Sequence, residues 1–285
     1  MLTWGETTFV VNIPAGFEAD LRAGRPVDLQ IIVDATKTMQ AMVGTGYLTR
    51  IISDEVSRFL SRSDEASQVS VNLVLRRSFN PTGDTAWLAA VSGLLNQLSM
   101  LTIVLTGAAV IREREHGTLE HLMVLPLNAF EIAMAKVLAN GTVIFLAFVF
   151  RLHVVVKAAL GIPVAGSEGL LLLGTLIYLF AAAAIGIFMG VIARTMAQFA
   201  LLIMLVIMPM MILSGGMSPI ESQPFWLQPI TFMLPSRHYI EMATAIAFRG
   251  ADLSVVWPQM LAVLLFGALY FGGSLLFFRK AAAGA

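Results

Sequence analysis

Charge is scarce beyond Trp87, and where it gathers the residue types alternate: Arg112-Glu113-Arg114-Glu115-His116, then Gly117-Thr118-Leu119-Glu120-His121, closed by Pro126. Opposite signs in succession compensate one another and keep such a stretch wet. His116 and Glu120 stand one helical turn apart and raise the question of a metal. Gly117 interrupts them, no further ligand cluster accompanies them, and a chain without cysteine offers no thiolate, so no metal site is expected. A phosphate-cradling G-x-x-x-x-G-K-[ST] loop is absent, as is a nucleophile elbow, so these residues are not read as an enzyme centre and any use of ATP falls to another chain. Gly117 permits a backbone break. Thr118 can cap a short helix over 119–125 that Pro126 helps to end, and Asn128 with Glu131 has the spacing of a capping box opening the next helix. The segment 112–128 thus reads as a short helix lying between two longer ones, where a soluble partner could dock. On spacing alone the plainer reading, a charged connector, is the stronger.

The elements around this segment are set by composition. The chain is 58% hydrophobic and 13% charged with a mean hydropathy of +0.82, whereas a soluble domain is about one quarter charged. A bilayer core calls for about 20 apolar residues per helix. Five stretches qualify, about 88–111, 134–157, 169–193, 197–217 and 256–278. The fold class is therefore an α-helical polytopic membrane protein. Zero net charge leaves no reason to expect nucleic acid; the partner that composition demands is the lipid bilayer. Inside the spans, Arg151 and His153 are costly residues and mark a functional site by default, although both lie near the end of a long span from which an arginine can snorkel. Pro209 kinks the fourth span. Arg151, His153, Pro209, Ser214 and Gly215 are candidates along a substrate path. Gly186 and Gly190 form a G-x-x-x-G pair suited to close helix packing. Residues 218–250 are too polar and Pro-rich for a span and predict short helices at the outer face, with Phe225, Trp226, Phe232 and Tyr239 as interface anchors.

Residues 1–87 have a different character. Thr7–Ile13, Val27–Val33 and Val69–Leu75 predict short strands, and Thr38–Ser61 a helix, giving an α/β module that a turn at Asn80–Asp84 joins to the spans. Loops bearing Arg112, Arg114, Lys136, Arg194, Arg279 and Lys280 outweigh those bearing Lys157, Arg237 and Arg249. The richer set is placed in the cytoplasm. The α/β module then lies outside it and the C-terminus inside. An outer module without a signal segment creates the expectation of a further helix ahead of residue 1.

The ordered residues resemble a family. Glu113-Arg114-Glu115, Gly117-Thr118-Leu119-Glu120, Leu122, Pro126 and Lys136 look like the signature of type-2 ABC exporter permeases. The resemblance continues through Pro163–Ser167, Gly186 to Gly190, Arg194-Thr195 with Gln198, Leu213–Gly216 with Pro219, Pro235–Tyr239 and Phe248–Gly250, while Ile13–Glu18 is similar to the multidrug-type branch. The family usually has six spans with its soluble domain between the first and second; this chain shows five. The resemblance implies a bacterial inner-membrane permease that pairs with a second permease, identical or related, and with two cytosolic ATPase subunits, which carry the ATP and Mg. It implies Arg112, Glu113, Arg114, Glu115, Gly117, Thr118, Glu120 and Pro126 as the ATPase-coupling residues. It further implies a periplasmic adaptor and drug-like or lipophilic cargo. Two rivals need no ATPase, a secondary transporter or channel and a membrane-anchored assembly protein. The spans lack interior Asp and Glu, which weighs against ion coupling.

Overall fold

A computed structural model of the chain describes residues 7–23, 25–34, 38–62, 71–78, 85–116, 128–215 and 223–283. The chain divides into two compact units, Met1–Leu88 and Ala89–Ala285.

In the first unit, β-branched runs make a three-stranded sheet of β1 (Phe9–Asn12), β2 (Val27–Asp34) and β3 (Val71–Ser78), in that order. β1 pairs antiparallel with β2, in register Phe9 with Val33; β2 pairs parallel with β3, in register Val27 with Val71. Parallel neighbours need a crossover, which α2 (Thr38–Arg62) supplies. Alternation along β2 sends Leu29, Ile31 and Val33 into a core against Phe9, Phe17, Ala41, Leu48 and Ile52. The last strand runs three residues beyond the Leu75 expected from sequence, because β2 offers partners as far as Asp34, opposite Ser78. Between β1 and β2 sits α1 (Phe17–Arg22), too short to show a periodicity in the sequence; an exposed Arg22–Glu18 pair lies along it and Gly16 opens it with φ +85.

The second unit is helical: α3 (Thr85–Glu115), α4 (Ala129–Phe150), α5 (Glu168–Ile192), α6 (Met196–Leu213), α7 (Gln228–Phe232), α8 (Pro235–Arg249) and α9 (Leu253–Ala283). Among the described residues five segments are long and apolar enough to cross a membrane: Ala90–Glu115, Ala129–Ala159, Glu168–Ile192, Met196–Leu213 and Leu253–Phe277. They coincide with the five expected from sequence. The first reaches through Arg112–Glu115 instead of stopping at 111, and Glu113, Arg114 and Glu115 find partners on neighbouring helices. Pro209 lies within α6.

α5 is the centre of this unit. Its run Ala181–Ala184 is fully buried, and small side chains there let α9 approach until a Cβ on Gly267 would stand 2.8 Å from the Ala181 Cβ. On another face, Gly186 and Gly190 meet Gly107 of α3. A Cβ on Gly186 would lie 2.5 Å from the Ile103 carbonyl oxygen, and one on Gly190 would lie 2.8 Å from that of Gly107. The G-x-x-x-G pair is thus taken up within the chain. Close backbone approach gains dispersion contacts, the attraction left to helices already in lipid.

Candidate functional site

Two ends of the helical unit gather its polar chemistry. At one, the last turn of α3 meets three other helices. Glu113 pairs with Lys136 of α4, whose side chain is almost buried. The Arg114 Nη1 donates to the carbonyls of Val191 at 3.2 Å and Ala193 at 2.7 Å, where α5 ends. Glu115 accepts the Met196 N–H at 2.9 Å, where α6 begins. Each charge faces the helix end of opposite polarity: a guanidinium sits at exposed carbonyls and a carboxylate at unpaired amides. The turn between α5 and α6 is closed on itself. Thr195 Oγ1 accepts the Gln198 N–H at 3.3 Å, and Gln198 Oε1 accepts the Arg194 N–H at 2.9 Å. Arg112 and His116 are exposed. At the start of α4 both halves of the capping box read from the sequence are present, the Asn128 N–H donating to Glu131 at 2.8 Å. Gly117, Thr118, Glu120 and Pro126, with the short helix expected there, lie outside the described residues.

The opposite end is built differently. α4 passes directly into a π-helical stretch, Arg151–Ala159. His153 Nε2 lies 2.7 Å from Glu168 and the Lys157 ammonium 2.6 Å from the other oxygen of that carboxylate, so both side chains hold the first residue of α5. Arg151 is exposed and is not drawn into this group. Next comes a loop whose backbone docks on α8: Ala165 N–H donates to Ala247 at 2.8 Å and Gly166 N–H to Ile246 at 3.0 Å. Those carbonyls belong to the last turn of α8 and would otherwise be orphans. Gly166 is required there, because a Cβ would stand 2.6 Å from the Ile246 oxygen.

α8 is largely buried, and one sequence expectation on it fails. Tyr239 is no interface anchor. It is fully buried and stacks on Tyr178 of α5 with ring centroids 4.0 Å apart and planes within 2°. Its hydroxyl has a partner, Thr175 Oγ1 at 3.0 Å, so the ring can leave the interface without orphaning a polar atom. Burial pushes this phenol above its ordinary value, with the Thr175 bond opposing. Tyr178 donates to Ser99 of α3 at 2.6 Å, and the pair thereby spans three helices. Phe225, Trp226 and Phe232 are exposed.

Beside the tyrosines, His238 Nε2 meets the Phe232 carbonyl at 2.8 Å, and its ring stacks on Phe266 of α9. Burial holds this imidazole below its usual range; the bond to Phe232 and the charge of Glu241 oppose the shift, and Arg237 adds to it. Arg237 donates to Gln228 and Thr231, and Thr231 to Gln223, which in turn reaches the Leu213 carbonyl at 3.0 Å. Ser214 is buried, its hydroxyl donating to Met211, and Gly215 turns the chain with φ +92. Pro209 is exposed on α6. Among the described residues no hydrogen bond or ion pair joins Arg151, His153, Pro209, Ser214 and Gly215 to one another. Sequence reasoning passed over Glu168, Gly107 and Gln198 as partners. Only Gln198 had a readable signal, the Thr-x-x-Gln spacing of a helix cap.

Among the described residues no group of His, Asp and Glu could hold a metal ion. The cavity at the π-helical end is lined by apolar side chains, among them Leu95, Leu152, Val156 and Phe248. Among the described residues the arrangement fastens helix ends to one another.

Residues 2–276 match the model of a family described as ABC-2 family transporter protein. The chain is 47% identical to the inner membrane transport permease YhhJ of Escherichia coli K12, over 97% of this chain and 74% of that protein. It is 28% identical to the probable multidrug ABC transporter permease YbhR of the same organism, over 95% of this chain and 73% of that protein. With the probable multidrug ABC transporter permease YbhS the figure is 24%, over 94% and 71%.

Proposed function

The chain belongs to the ABC-2 family of transporter permeases, and from that premise we propose that it is the membrane subunit of an ATP-driven exporter of drug-like or lipophilic molecules. The carrying observation is the fastened end of the helical unit, where α3, α4, α5 and α6 are joined by Glu113, Arg114, Glu115 and Lys136 beside the segment 117–127. A partner acting on that segment reaches four membrane helices at once. The same end collects Arg112, Arg114, Lys136 and Arg194, so it faces the cytoplasm, the first unit lies outside and the C-terminus inside. The membrane is the bacterial inner membrane, the site named for YhhJ.

In this reading the ATPase is a separate cytosolic chain that carries ATP and Mg, since residues 1–285 contain no phosphate loop of their own. A second permease, identical or related, completes the path. α6 supports that reading, since Leu201, Met204, Leu205 and Met208 are left uncovered by their own chain. Apolar cargo fits such a surface and agrees with the names of YbhR and YbhS. A periplasmic adaptor would meet the outer unit.

Acidic residues of the five spans stand only in their end turns, at Glu113, Glu115, Glu131 and Glu168. A proton- or sodium-coupled carrier commonly keeps a carboxylate deeper. Transport of a lipophilic dye into inside-out vesicles separates the two. The exporter requires ATP and ignores an uncoupler, whereas uptake that follows the ion gradient without ATP refutes it.

A further inference from the structure

The bonds of Arg114 and Glu115 have a geometry that a partner-facing surface would not need. The two residues are adjacent on α3, so their side chains leave the helix about 100° apart. They grip both sides of one short turn, residues 193–195: Arg114 holds the carbonyls that end α5, and Glu115 holds the amide that begins α6. The fit works only one way round, because helix dipoles do not reverse. Behind the grip, Phe199 of α6 lies against Gly107, where a Cβ would stand 2.2 Å from its ring, so the turn has little freedom to slide along α3.

We propose that Arg114 and Glu115 are positioning residues, a two-sided clip by which movement of α3 is delivered to the turn between α5 and α6. This role asks no ATPase contact of either residue. Resting on the exporter reading, the clip specifies where force goes once it arrives. It also separates the roles within the alternating-charge signature. Glu113 holds Lys136, Arg114 and Glu115 hold the turn, and the exposed Arg112 is left to solvent or partner.

The test uses the full chain in its native membrane with the ATPase recovered beside the wild type, and the dye Hoechst 33342 as transported probe. Arg114→Ala and the exchanged pair Arg114→Glu/Glu115→Arg are compared with Arg114→Lys and Glu115→Gln, which keep a donor and an acceptor in place. The clip predicts that every variant recovers as much ATPase as the wild type. Dye exported per ATP falls by about tenfold in the first two, the scale of one lost charge-assisted hydrogen bond, and the conservative pair restores most of it. A role confined to folding would lower the amount of protein and leave that ratio unchanged. Loss of the ATPase from well-folded Arg114→Ala, or an unchanged ratio, overturns the proposal. Should the strong variants fail to accumulate, hydrogen exchange decides: Glu115→Ala must speed exchange at the Met196 amide, and unaltered exchange also overturns it. If the wild type recovers no ATPase, the exporter reading falls while Met196 still reports on the clip.

Discussion

The two ends of the helical unit are tied by different bonds. Where α3 ends, charged side chains hold helix termini: Arg114 on α5, Glu115 on α6, Lys136 on Glu113. At the opposite end, backbone meets backbone between residues 165–166 and α8, and two tyrosines stack face to face in the interior. Backbone bonds and fully buried rings are costly to break and have no alternative partners close by. Charged side chains on helix ends join whole termini at a few points, so those termini can shift together while the joints stay closed. One end is suited to move and the other to hold. Lys157 and His153 on Glu168 qualify the contrast, adding an ionic fastening to the rigid end.

The largest expected effect is at the packing between these ends. Gly186→Val forces a side chain onto the Ile103 carbonyl, a backbone atom that cannot give way as a flexible side chain can, so its cost should exceed both the ~1–3 kcal/mol usual for overpacking and the loss at Tyr239. The variant should lose its monodisperse peak in detergent chromatography; a normal peak would show that α3 and α5 do not approach this closely. Next, Tyr239→Ala should remove about 3–5 kcal/mol, as for other large aromatics in a core, while Tyr239→Phe keeps the stack and costs about 1 kcal/mol. Thermal melts would give that order, and equal losses would mean that the hydroxyl matters more than the ring.

Both effects depend on features only half legible in the sequence. The spans were readable because apolar runs of that length have few other uses, and the strands because β-branched residues cluster between turn signals. Gly186 and Gly190 announced a close approach. Their partner Gly107, one glycine in another helix, carried no mark. Tyr239 was misplaced because polar neighbours such as Arg237 and His238 made its surroundings look interfacial, whereas those neighbours turn to Gln228, Thr231 and Phe232. The π-helical stretch and the docking of residues 165–166 on α8 are backbone events and leave no pattern in side chains. Arg112–Glu115 were conspicuous in type and spacing, but the sequence could not say that three of the four are engaged inside the chain.

Smaller effects sharpen the contrast. Glu115→Lys places a cation at the start of α6, and the lost cap with reversed dipole interaction should cost about 1–2 kcal/mol. Membrane insertion should be kept and ATP-driven export lost; normal export by this variant would count against a moving end. Arg151→Leu should leave the melting temperature unchanged, because this side chain is exposed and is not drawn into the group on Glu168. A changed substrate profile would give it a place on the path, and an unchanged one would leave it a snorkelling residue.

The smallest effect is a pH dependence at the holding end. The folded imidazole of His238 titrates below its unfolded value of about 6.5. As pH falls through that value the unfolded chain gains a proton before the folded one, so stability declines towards acid. Melting should be lower at acid pH than in mild base, and His238→Gln should flatten the difference. A wild-type melting point that rises in acid would contradict this assignment.

The central claim, a permease driven by another chain's ATP, is tested most directly by gentle detergent recovery of this protein from its native membrane, with bound proteins identified by mass spectrometry. The expected result is an ATPase carrying a phosphate-loop motif in stable proportion to the permease. Reproducible recovery of the intact, folded chain with no such ATPase would contradict that claim and favour an ATP-independent carrier.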